Sequence, residues 1–431
     1  MKLKDKREEG RGKMEATDNR IKTRWKKPSS FVQVARRATV ILRPSFFLPF
    51  FLFLSSVFPS GKAMGAEFKL IPSLDLREEY NDNIFYTESS RVRDFITTLT
   101  PGLELVNRTE KLDLNLLARI PVLRYADTRE LDHTDQNYSG RLRYSLHPNW
   151  ALSGGAAYVE DSRPDRDLEV TGLVTNAAIR RRQNYSAGVD HNFSEKTKAG
   201  LTYMYSQDDY PSPHFVDLKA HDANLNFTLD LSRTLPNIVG RANLAYSRYE
   251  YEIATIDYYY ATIGMNWALN EKWSLLFDGG GSYTLSEFGP EGNKQKDEGT
   301  GWVGMGKLSY KGEKTNGDLT FSHRKAPAYG TVGVTNRTSL SFGINRRFTY
   351  EFSGGLSAGY FINKGEEGKF STAAFDQESF YVNPRLRYEF TKDMVLEGSY
   401  NFSFTKDKES NTEAPRSLFM IRLYIQHAFF E

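Results

Sequence analysis

Arginine and carboxylate side chains recur along this 431-residue sequence at positions that alternate with apolar residues. A guanidinium group is planar and permanently charged, and it holds a carboxylate or a phosphate through two parallel hydrogen bonds. The chemistry available to such a set is the recognition and guidance of anions. We predict that one polar face carries Arg119, Arg141, Arg143, Arg241, Arg324, Arg337, Arg385, Arg387, Glu389, Glu397, Arg422 and Tyr424.

Two interpretations of these arginines stay open. A ring of free guanidinium groups could guide an anionic polysaccharide or select anions. Alternatively, each arginine pairs with a carboxylate on a neighbouring strand and braces a wall. Both can hold, because a pore lining needs spare charge as well as paired charge. The carboxylates predicted on the same face are Asp113, Asp190, Asp222, Asp230, Asp278, Asp318, Glu389 and Glu397.

Tyrosines on the same face suggest a second use. Tyr249, Tyr258, Tyr260 and Tyr424 could form a track on which sugars stack, because sugar faces are partly apolar and tyrosine has a polar tip. The alternative is ordinary strand composition, since the chain holds 25 Tyr and strands favour aromatic residues.

Groups suited to catalysis or metal binding are scattered. None of the seven His lies in a G-x-S-x-G or an H-E-x-x-H motif. The absence of Cys excludes disulfides and thiol-ligated metals. We predict no enzyme activity and no catalytic, cofactor-binding or metal-binding residue. The acidic stretches 127–136, 160–169 and 206–210 are interpreted as solvated loop tips or, alternatively, as oxygen ligands for calcium or magnesium that bridges to lipopolysaccharide.

The first 65 residues are predicted to be a signal peptide that is removed. Residues 1–66 hold 15 Lys and Arg against 5 Asp and Glu, so a basic leader precedes a mildly acidic body and a nucleic-acid partner is not indicated. The apolar run 46–58 is too short to span a bilayer as a helix, and the small residues Ala63 and Gly65 suit a cleavage site. An interfacial anchor is the alternative.

The segments that must position the polar face alternate between apolar and polar residues, which is a period of two. In residues 222–231, Leu225, Phe227 and Leu229 alternate with Asn224 and Asn226, and no segment after residue 66 keeps an amphipathic helical period for three turns. Alternation over about ten residues is typical of strands in a transmembrane barrel, apolar outside and polar inside. A soluble sandwich or propeller fits less well, because each repeat of about forty residues holds two long strands rather than four short ones.

Short turns and longer loops alternate along the chain. The predicted turns lie at residues 107–111, 147–150, 193–197, 232–237, 270–273, 311–317, 346–351 and 391–394. With one strand added at each end, near 68–80 and 416–430, they predict a closed antiparallel barrel of about 18 strands (16–20) over residues 66–431. Short turns and both termini then face the periplasm and long loops face outward. An aromatic girdle is predicted from Trp150, Trp267, Trp273, Trp302 and Phe390.

The chain end has the same alternation and is predicted to be the closing strand. Phe419, Ile421, Leu423, Ile425 and Phe429 should meet lipid, while Arg422, Tyr424 and Gln426 should face inward. A barrel must close because lipid offers no partner for a free strand edge. An interior of this width holds water unless it is plugged, and since no plug domain precedes Phe68, a plug could only be a folded-in loop.

A motif near the start of the body resembles a known family. Tyr80-Asn81-Asp82-Asn83-Ile84-Phe85 and the turn Thr100-Pro101-Gly102 resemble the opening of outer-membrane β-barrel porins associated with exopolysaccharide loci and the PEP-CTERM system. The resemblance implies an outer-membrane barrel whose neighbours make or export surface polysaccharide, and it supplies no catalytic residues. One departure is Glu431, which follows the terminal aromatic Phe430.

The sequence therefore predicts a channel in a bacterial outer membrane that serves as a conduit for exopolysaccharide or related polar solutes. The alternatives are a general diffusion porin and a plugged barrel that docks an envelope assembly. Expected partners are outer-membrane lipid, lipopolysaccharide, the barrel-assembly machinery and a polysaccharide. No cofactor is expected.

Overall fold

The computed structural model describes residues 67–174, 177–289, 294–365, 370–371 and 375–430. The predicted leader and Glu431 lie outside this range. The strands are β1 (Glu67–Asn81), β2 (Asp94–Arg108), β3 (Leu112–Arg119), β4 (Val122–Tyr125), β5 (His133–Thr134), β6 (Gln136–His147), β7 (Trp150–Asp161), β8 (Arg180–Asn192), β9 (Thr197–Asp209), β10 (Leu218–Asp230), β11 (Ile238–Tyr251), β12 (Ala254–Ala268), β13 (Trp273–Phe288), β14 (Gln295–Lys311), β15 (Thr315–Pro327), β16 (Val334–Arg347), β17 (Phe352–Gly365), β18 (Phe375–Thr391), β19 (Met394–Asp407) and β20 (Thr412–Gln426).

These twenty elements form eighteen barrel strands. β3 and β4 are two pieces of one strand, separated at Ile120 and Pro121, and both pair with β2. Proline has no N–H to donate to a ladder, so pairing stops there. β5 and β6 are likewise two pieces of the next strand. The predicted count of eighteen is confirmed.

Every neighbouring pair is antiparallel, and the sheet closes on itself. β1 pairs with β2 on one side and with β20 on the other, with Asp75 opposite Tyr424. Closure gives the first and last strands a partner on both sides, as lipid requires. The closing strand begins and ends earlier than predicted, and beyond it Phe429 forms only a single bridge to Leu70.

The connections fall on two rims. All eight predicted short turns join strand pairs on one rim, which also holds the start of β1 and the end of β20; we call it the turn rim, and the barrel convention places it in the periplasm. The opposite rim, the loop rim, carries the longer connections. The connection from β11 to β12 is an exception, with only Glu252 and Ile253 between the strands.

The outer face is apolar. Its exposed side chains alternate with inward polar ones, as predicted: Leu74, Leu76, Phe95, Leu99, Leu225, Phe227, Ile263, Phe277, Leu340, Leu386, Phe419 and Ile421. Trp150, Trp267, Trp273 and Phe390 lie at strand ends on the turn rim. The girdle prediction is wrong for Trp302, which lies midway along β14 and stacks on His323 with ring centroids 3.8 Å apart.

Helix is scarce in the described residues: α1 (Leu168–Thr171) and a single 3-10 turn (Arg129–Leu131). No helix among them is long and apolar enough to cross a membrane.

Candidate functional site

The inner face differs between its two halves. Near the loop rim, inward side chains are buried on strands around the ring: Glu79, Thr98, Asp208, Tyr249, Thr284, Arg337, Asn363, Ser379, Ser403 and Arg416. Near the turn rim, charged inward side chains are exposed by 40–57%: Arg143, Asp190, Lys307, Asp318, Arg387 and Glu389. We call the second part the open half. Its side chains are the ones that water and solutes can reach.

Part of the predicted arginine set pairs with carboxylates. The partners are Asp190 for Arg143 (3.1 Å), Asp278 for Arg241 (3.2 Å), Glu389 for Arg387 (3.1 Å) and Asp75 for Arg422 (2.6 Å). The Arg143 and Arg422 pairs link neighbouring or near-neighbouring strands, as a braced wall requires. Tyr424 lies beside Arg422 and donates its hydroxyl proton to Gln426 Oε1 at 3.0 Å.

Other members of the set have no carboxylate within 4 Å among the described residues. Arg119 and Arg141 make no ion pair, and Arg385 donates from Nη2 to the neutral amide oxygen of Asn345 at 2.8 Å. Glu397 stands between Arg387 and Arg422 in the strand register, beyond ion-pair distance of either. The lining therefore carries unpaired charge, three arginines against Glu397, beside its paired charge.

Arg337 is a correction to the predicted lining. It is only 7% exposed, under the folded-in loops, so it does not border the open half. Its Nε donates to Asn363 Oδ1 at 2.8 Å. Arg324, directly opposite it on β15, is exposed.

The connection between β7 and β8, described at residues 162–174 and 177–179, crosses the barrel, and we call these residues the crossing loop. Arg163 Nη1 donates to Glu79 Oε2 at 2.5 Å, and its Nε and Nη2 donate to the two oxygens of Asp165 at 3.0 and 3.1 Å. Asp165 also pairs with Arg416 of β20. These contacts attach the crossing loop, which begins at the end of β7, to β1 and β20, the two strands that pair where the barrel closes.

Electrostatics favour this docked arrangement. Burial by itself raises the pKa of Asp165, but the guanidinium groups of Arg163 and Arg416 outweigh it and hold the pKa well below its ordinary value. For Arg163, burial lowers the pKa, and the carboxylates of Asp165 and Glu79 more than reverse that effect. Asp165 and Arg163 therefore stay charged over the ordinary pH range.

The far end of the crossing loop packs on β17 and β18. Asn363 Nδ2 donates to Thr171 O at 3.0 Å, and Ser379 Oγ donates to Gly172 O. Gly172 has φ of +73°, and a Cβ there would lie 2.3 Å from the Cβ of Phe361, so only glycine fits. Since β8 and β17 are nine strands apart in a ring of eighteen, the loop spans the interior.

The ends of β15 and β16 also turn inward. β15 stops pairing with β14 after His323, and the segment 324–337, which we call the inturned hairpin, leans inward onto the wall formed by β10 to β14. Tyr251 donates its hydroxyl proton to Gly333 O at 2.6 Å, and Lys325 Nζ donates to Thr284 Oγ1 at 2.9 Å. An apolar cluster forms beneath it from Leu218, Ala220, Tyr249, Tyr251, Ala254, Ile256, Tyr258, Val303, Val332, Val334 and Phe370.

This cluster overturns the sugar-track hypothesis for two tyrosines. Tyr249 and Tyr258 are 6% and 2% exposed and serve as core for the inturned hairpin. Tyr260 packs against the same cluster and is half-buried. Only Tyr424 of the four lies outside it.

The motif loop, residues 82–93, is a third inward segment. Asn83 is fully buried, and its Nδ2 donates to Thr87 O at 2.8 Å and to Pro415 O at 3.0 Å. Ile84 packs with Ile96 and Leu123. Residues of the YNDNIF motif thus attach the motif loop to β20 and to the inner wall of the barrel.

The acidic stretch 160–169 is neither a solvated tip nor a cation site. Asp165 and Asp167 are enclosed and face arginines, with Arg180 Nη1 donating to Asp167 Oδ2 at 2.7 Å. No group of acidic or histidine side chains in the described part of the chain is arranged to hold a metal ion. Sequence reasoning missed Arg180, which pairs with Asp161 and Asp167. It also missed Arg163 and Arg416, whose partners Glu79 and Asp165 lie far along the chain.

Comparisons with known proteins agree with this architecture. The family model described as "Putative beta-barrel porin 2" matches residues 57–224, a range that includes the YNDNIF motif and the Thr100–Gly102 turn. The predicted resemblance to an outer-membrane β-barrel porin family is thereby confirmed. No curated protein matches the chain.

Solved barrels are similar at low identity. OccK3 (OpdO) of Pseudomonas aeruginosa is 12% identical, with 84% of this chain and 96% of that chain covered and a TM-score of 0.44. OccAB4 of Acinetobacter baumannii is 10% identical, with coverages of 86% and 100% and a TM-score of 0.44. The ferric citrate transporter FecA in its unliganded form is 10% identical, with coverages of 80% and 61% and a TM-score of 0.47. None of their activities is transferred to this chain.

Proposed function

We propose that this porin-like β-barrel of the bacterial outer membrane is a gated channel for anionic polar solutes, with an exopolysaccharide or its fragments as the cargo. The open half admits the solute from the turn rim. The motif loop, the crossing loop and the inturned hairpin form the gate, and the barrel is closed in the conformation described here.

The observation that carries this proposal is the asymmetry of the inner face. A barrel with a purely structural role does not require a water-exposed inner wall that carries charges of both signs. A general diffusion porin does not require three segments that fold into its interior. The gate is held by ion pairs and hydrogen bonds between loop and wall, such as Arg163 with Glu79 and Asn363 with Thr171. Polar contacts of this kind can be exchanged for contacts with water, whereas a covalent or wholly apolar plug cannot open so readily.

The preference for anions is argued from spare charge. Arg119, Arg141 and Arg385 lack carboxylate partners within 4 Å among the described residues, so their fields are not cancelled locally. A planar guanidinium also suits the carboxylates of uronic acids better than it suits neutral sugars. The exopolysaccharide association comes from the sequence motif and is the most specific part of the proposal.

A liposome swelling assay tests the function. The purified full chain is reconstituted, and swelling rates are compared for glucose and glucuronate, and then for neutral and uronate-containing oligosaccharides. We expect uronates to enter faster than neutral sugars of equal size. A matched pair of variants is Arg385→Gln in the open half and Arg233→Gln in an exposed turn on the turn rim, and only the first should reduce uronate entry.

Two outcomes count against the proposal. Equal rates for neutral and anionic sugars of one size indicate general diffusion. No swelling with any solute, even when the crossing loop is released by substitution, indicates a permanently plugged barrel. The latter is the second candidate, favoured by the extent of burial at the loop rim, and it predicts a docking role instead.

A further inference from the structure

Two arginines face each other on the inturned hairpin. Arg324 of β15 and Arg337 of β16 are directly opposite in the strand register, so their side chains leave the same face of the hairpin. Like charges in this position destabilise a strand pair. Neither arginine has a carboxylate within 4 Å among the described residues. No ion pair among the described residues offsets this repulsion; Asp222 attracts Arg324 and Asp167 attracts Arg337 only from beyond ion-pair distance.

Arg337 is the buried member. It is 7% exposed, its Nε donates to the neutral Oδ1 of Asn363 at 2.8 Å, and its Nη2 is buried without a hydrogen-bond partner. A buried guanidinium is ordinarily paired with a carboxylate, because an isolated charge is expensive to take out of water. Here one edge of the guanidinium is free to donate to a further acceptor.

Arg324 is the accessible member. It is exposed, while Lys325 and Ala326 beside it are buried, so it marks the border between the open half and the gate. On the wall that the hairpin faces, Asp222 already accepts a hydrogen bond from Ser247 Oγ at 2.5 Å. Arg324 is thus open to a solute in the open half, whereas Arg337 beside it is covered.

We propose that Arg324 and Arg337 form an oxyanion-binding site at the inner surface of the gate, which holds a carboxylate or phosphate group of the solute. Both residues are donors without acceptor capacity, so the site takes anions and excludes cations. Planar forks on adjacent strands can donate to two oxygens of one group. This inference rests on the proposed channel function, because it assigns the chemical group by which a solute meets the gate.

Binding to the full chain in detergent micelles tests the site without requiring conduction. Inorganic phosphate and glucuronate are titrated calorimetrically at constant ionic strength, with chloride as the reference. The variants are Arg324→Gln and Arg337→Gln, where glutamine at 337 can still donate to Asn363. Arg233→Gln is the matched control, since it makes the same chemical change in an exposed turn on the turn rim.

We expect both probes to bind, with affinity reduced about tenfold or more in each site variant, as for the loss of a hydrogen bond to a charged group, and unchanged in Arg233→Gln. Arg324→Lys keeps the charge but loses the fork, and it should bind more weakly than the native chain. Because Arg324 is exposed, its variants test the site even if Arg337→Gln does not fold.

Equal affinities in Arg324→Gln, Arg233→Gln and the native chain overturn the site, as does the absence of binding by either probe. Failure of the site is distinguishable from failure of the channel. Uronate-selective swelling without calorimetric binding removes the site and leaves the channel. Binding that depends on Arg324, with no solute flux in any variant, leaves an anion site in a barrel that does not conduct.

Discussion

Asp165→Asn changes the centre of the contact that holds the crossing loop. The native carboxylate accepts two hydrogen bonds from Arg163 and one from Arg416, and among the described residues it is the only carboxylate bonded to both. Asparagine has one acceptor oxygen and no charge. Arg163 would keep Glu79 as a partner at 2.5 Å, and Arg416 would keep Asn401 at 2.8 Å. The site that the two guanidinium groups share would then hold one negative charge fewer.

The magnitude follows from the burial of the cluster. Removing one partner of a buried ion pair costs about 3–5 kcal/mol, because it leaves charge buried without compensation. When the crossing loop leaves the wall, its charged groups are hydrated again, so this free-energy cost applies only to the docked state. At about 1.4 kcal/mol for each factor of ten, the ratio of undocked to docked loop should rise by about 10² to 10³ or more.

Single-channel recording in planar bilayers measures this ratio as open probability. We expect rare, brief openings in the native chain and long openings in Asp165→Asn, at the same unitary conductance. Asp127→Asn is the control, because it makes the same chemical change at an exposed position on the same rim. If Asp165→Asn folds and its open probability equals that of the control, the crossing loop does not hold the gate.

The remaining predictions concern the same gate and wall. Gly172→Ala should weaken docking by about 1–3 kcal/mol, because alanine is strained at φ of +73° and its Cβ meets Phe361; protease sensitivity of the crossing loop reports it. The pKa of Asp165 is depressed, so its contribution to docking is complete above the ordinary carboxylate pKa and is lost only as pH falls through the depressed value. Open probability of the native chain should therefore be flat from about pH 8 down to about pH 5, and a rise in that window would show that another group controls the gate. Arg141→Gln and Arg385→Gln should each move the reversal potential in a salt gradient toward cation preference, and an unchanged potential in both would show that the spare arginines do not set selectivity.

Much of the barrel could be predicted from the sequence because its signals are local. Alternation of Leu225 and Phe227 with Asn224 and Asn226 fixes which side of a strand meets lipid, and a one-residue slip would bury the wrong face. Turn positions follow from the same pattern, which is why all eight short turns and the closure of β1 on β20 were predicted. Trp302 was misplaced because composition alone does not tell the end of a long strand from its middle.

The gate could not be predicted because its contacts are long-range. Asp165 and Arg416 are 251 positions apart, and Thr171 and Asn363 are 192 apart. Nothing local distinguishes a charged loop that is solvated from one whose charges are matched across the barrel. The same reason explains Tyr249 and Tyr258: their inward direction was predictable, but the hairpin that covers them was not. Arg337 was likewise assigned to the correct face but not to the buried half.

Thiol labelling of the gated lumen tests the central claim most directly. Because the chain contains no cysteine, an introduced cysteine is the only thiol that can react. Single cysteines are placed at Asp318, exposed in the open half, and at Ser379, which contacts Gly172 of the crossing loop. A charged, membrane-impermeant thiol reagent should modify Asp318→Cys rapidly and Ser379→Cys slowly. Adding Asp165→Asn should make the second site react at a rate near that of the first. Rapid labelling of Ser379→Cys in the native background, or slow labelling that Asp165→Asn leaves unchanged, would contradict a gate held shut by the crossing loop.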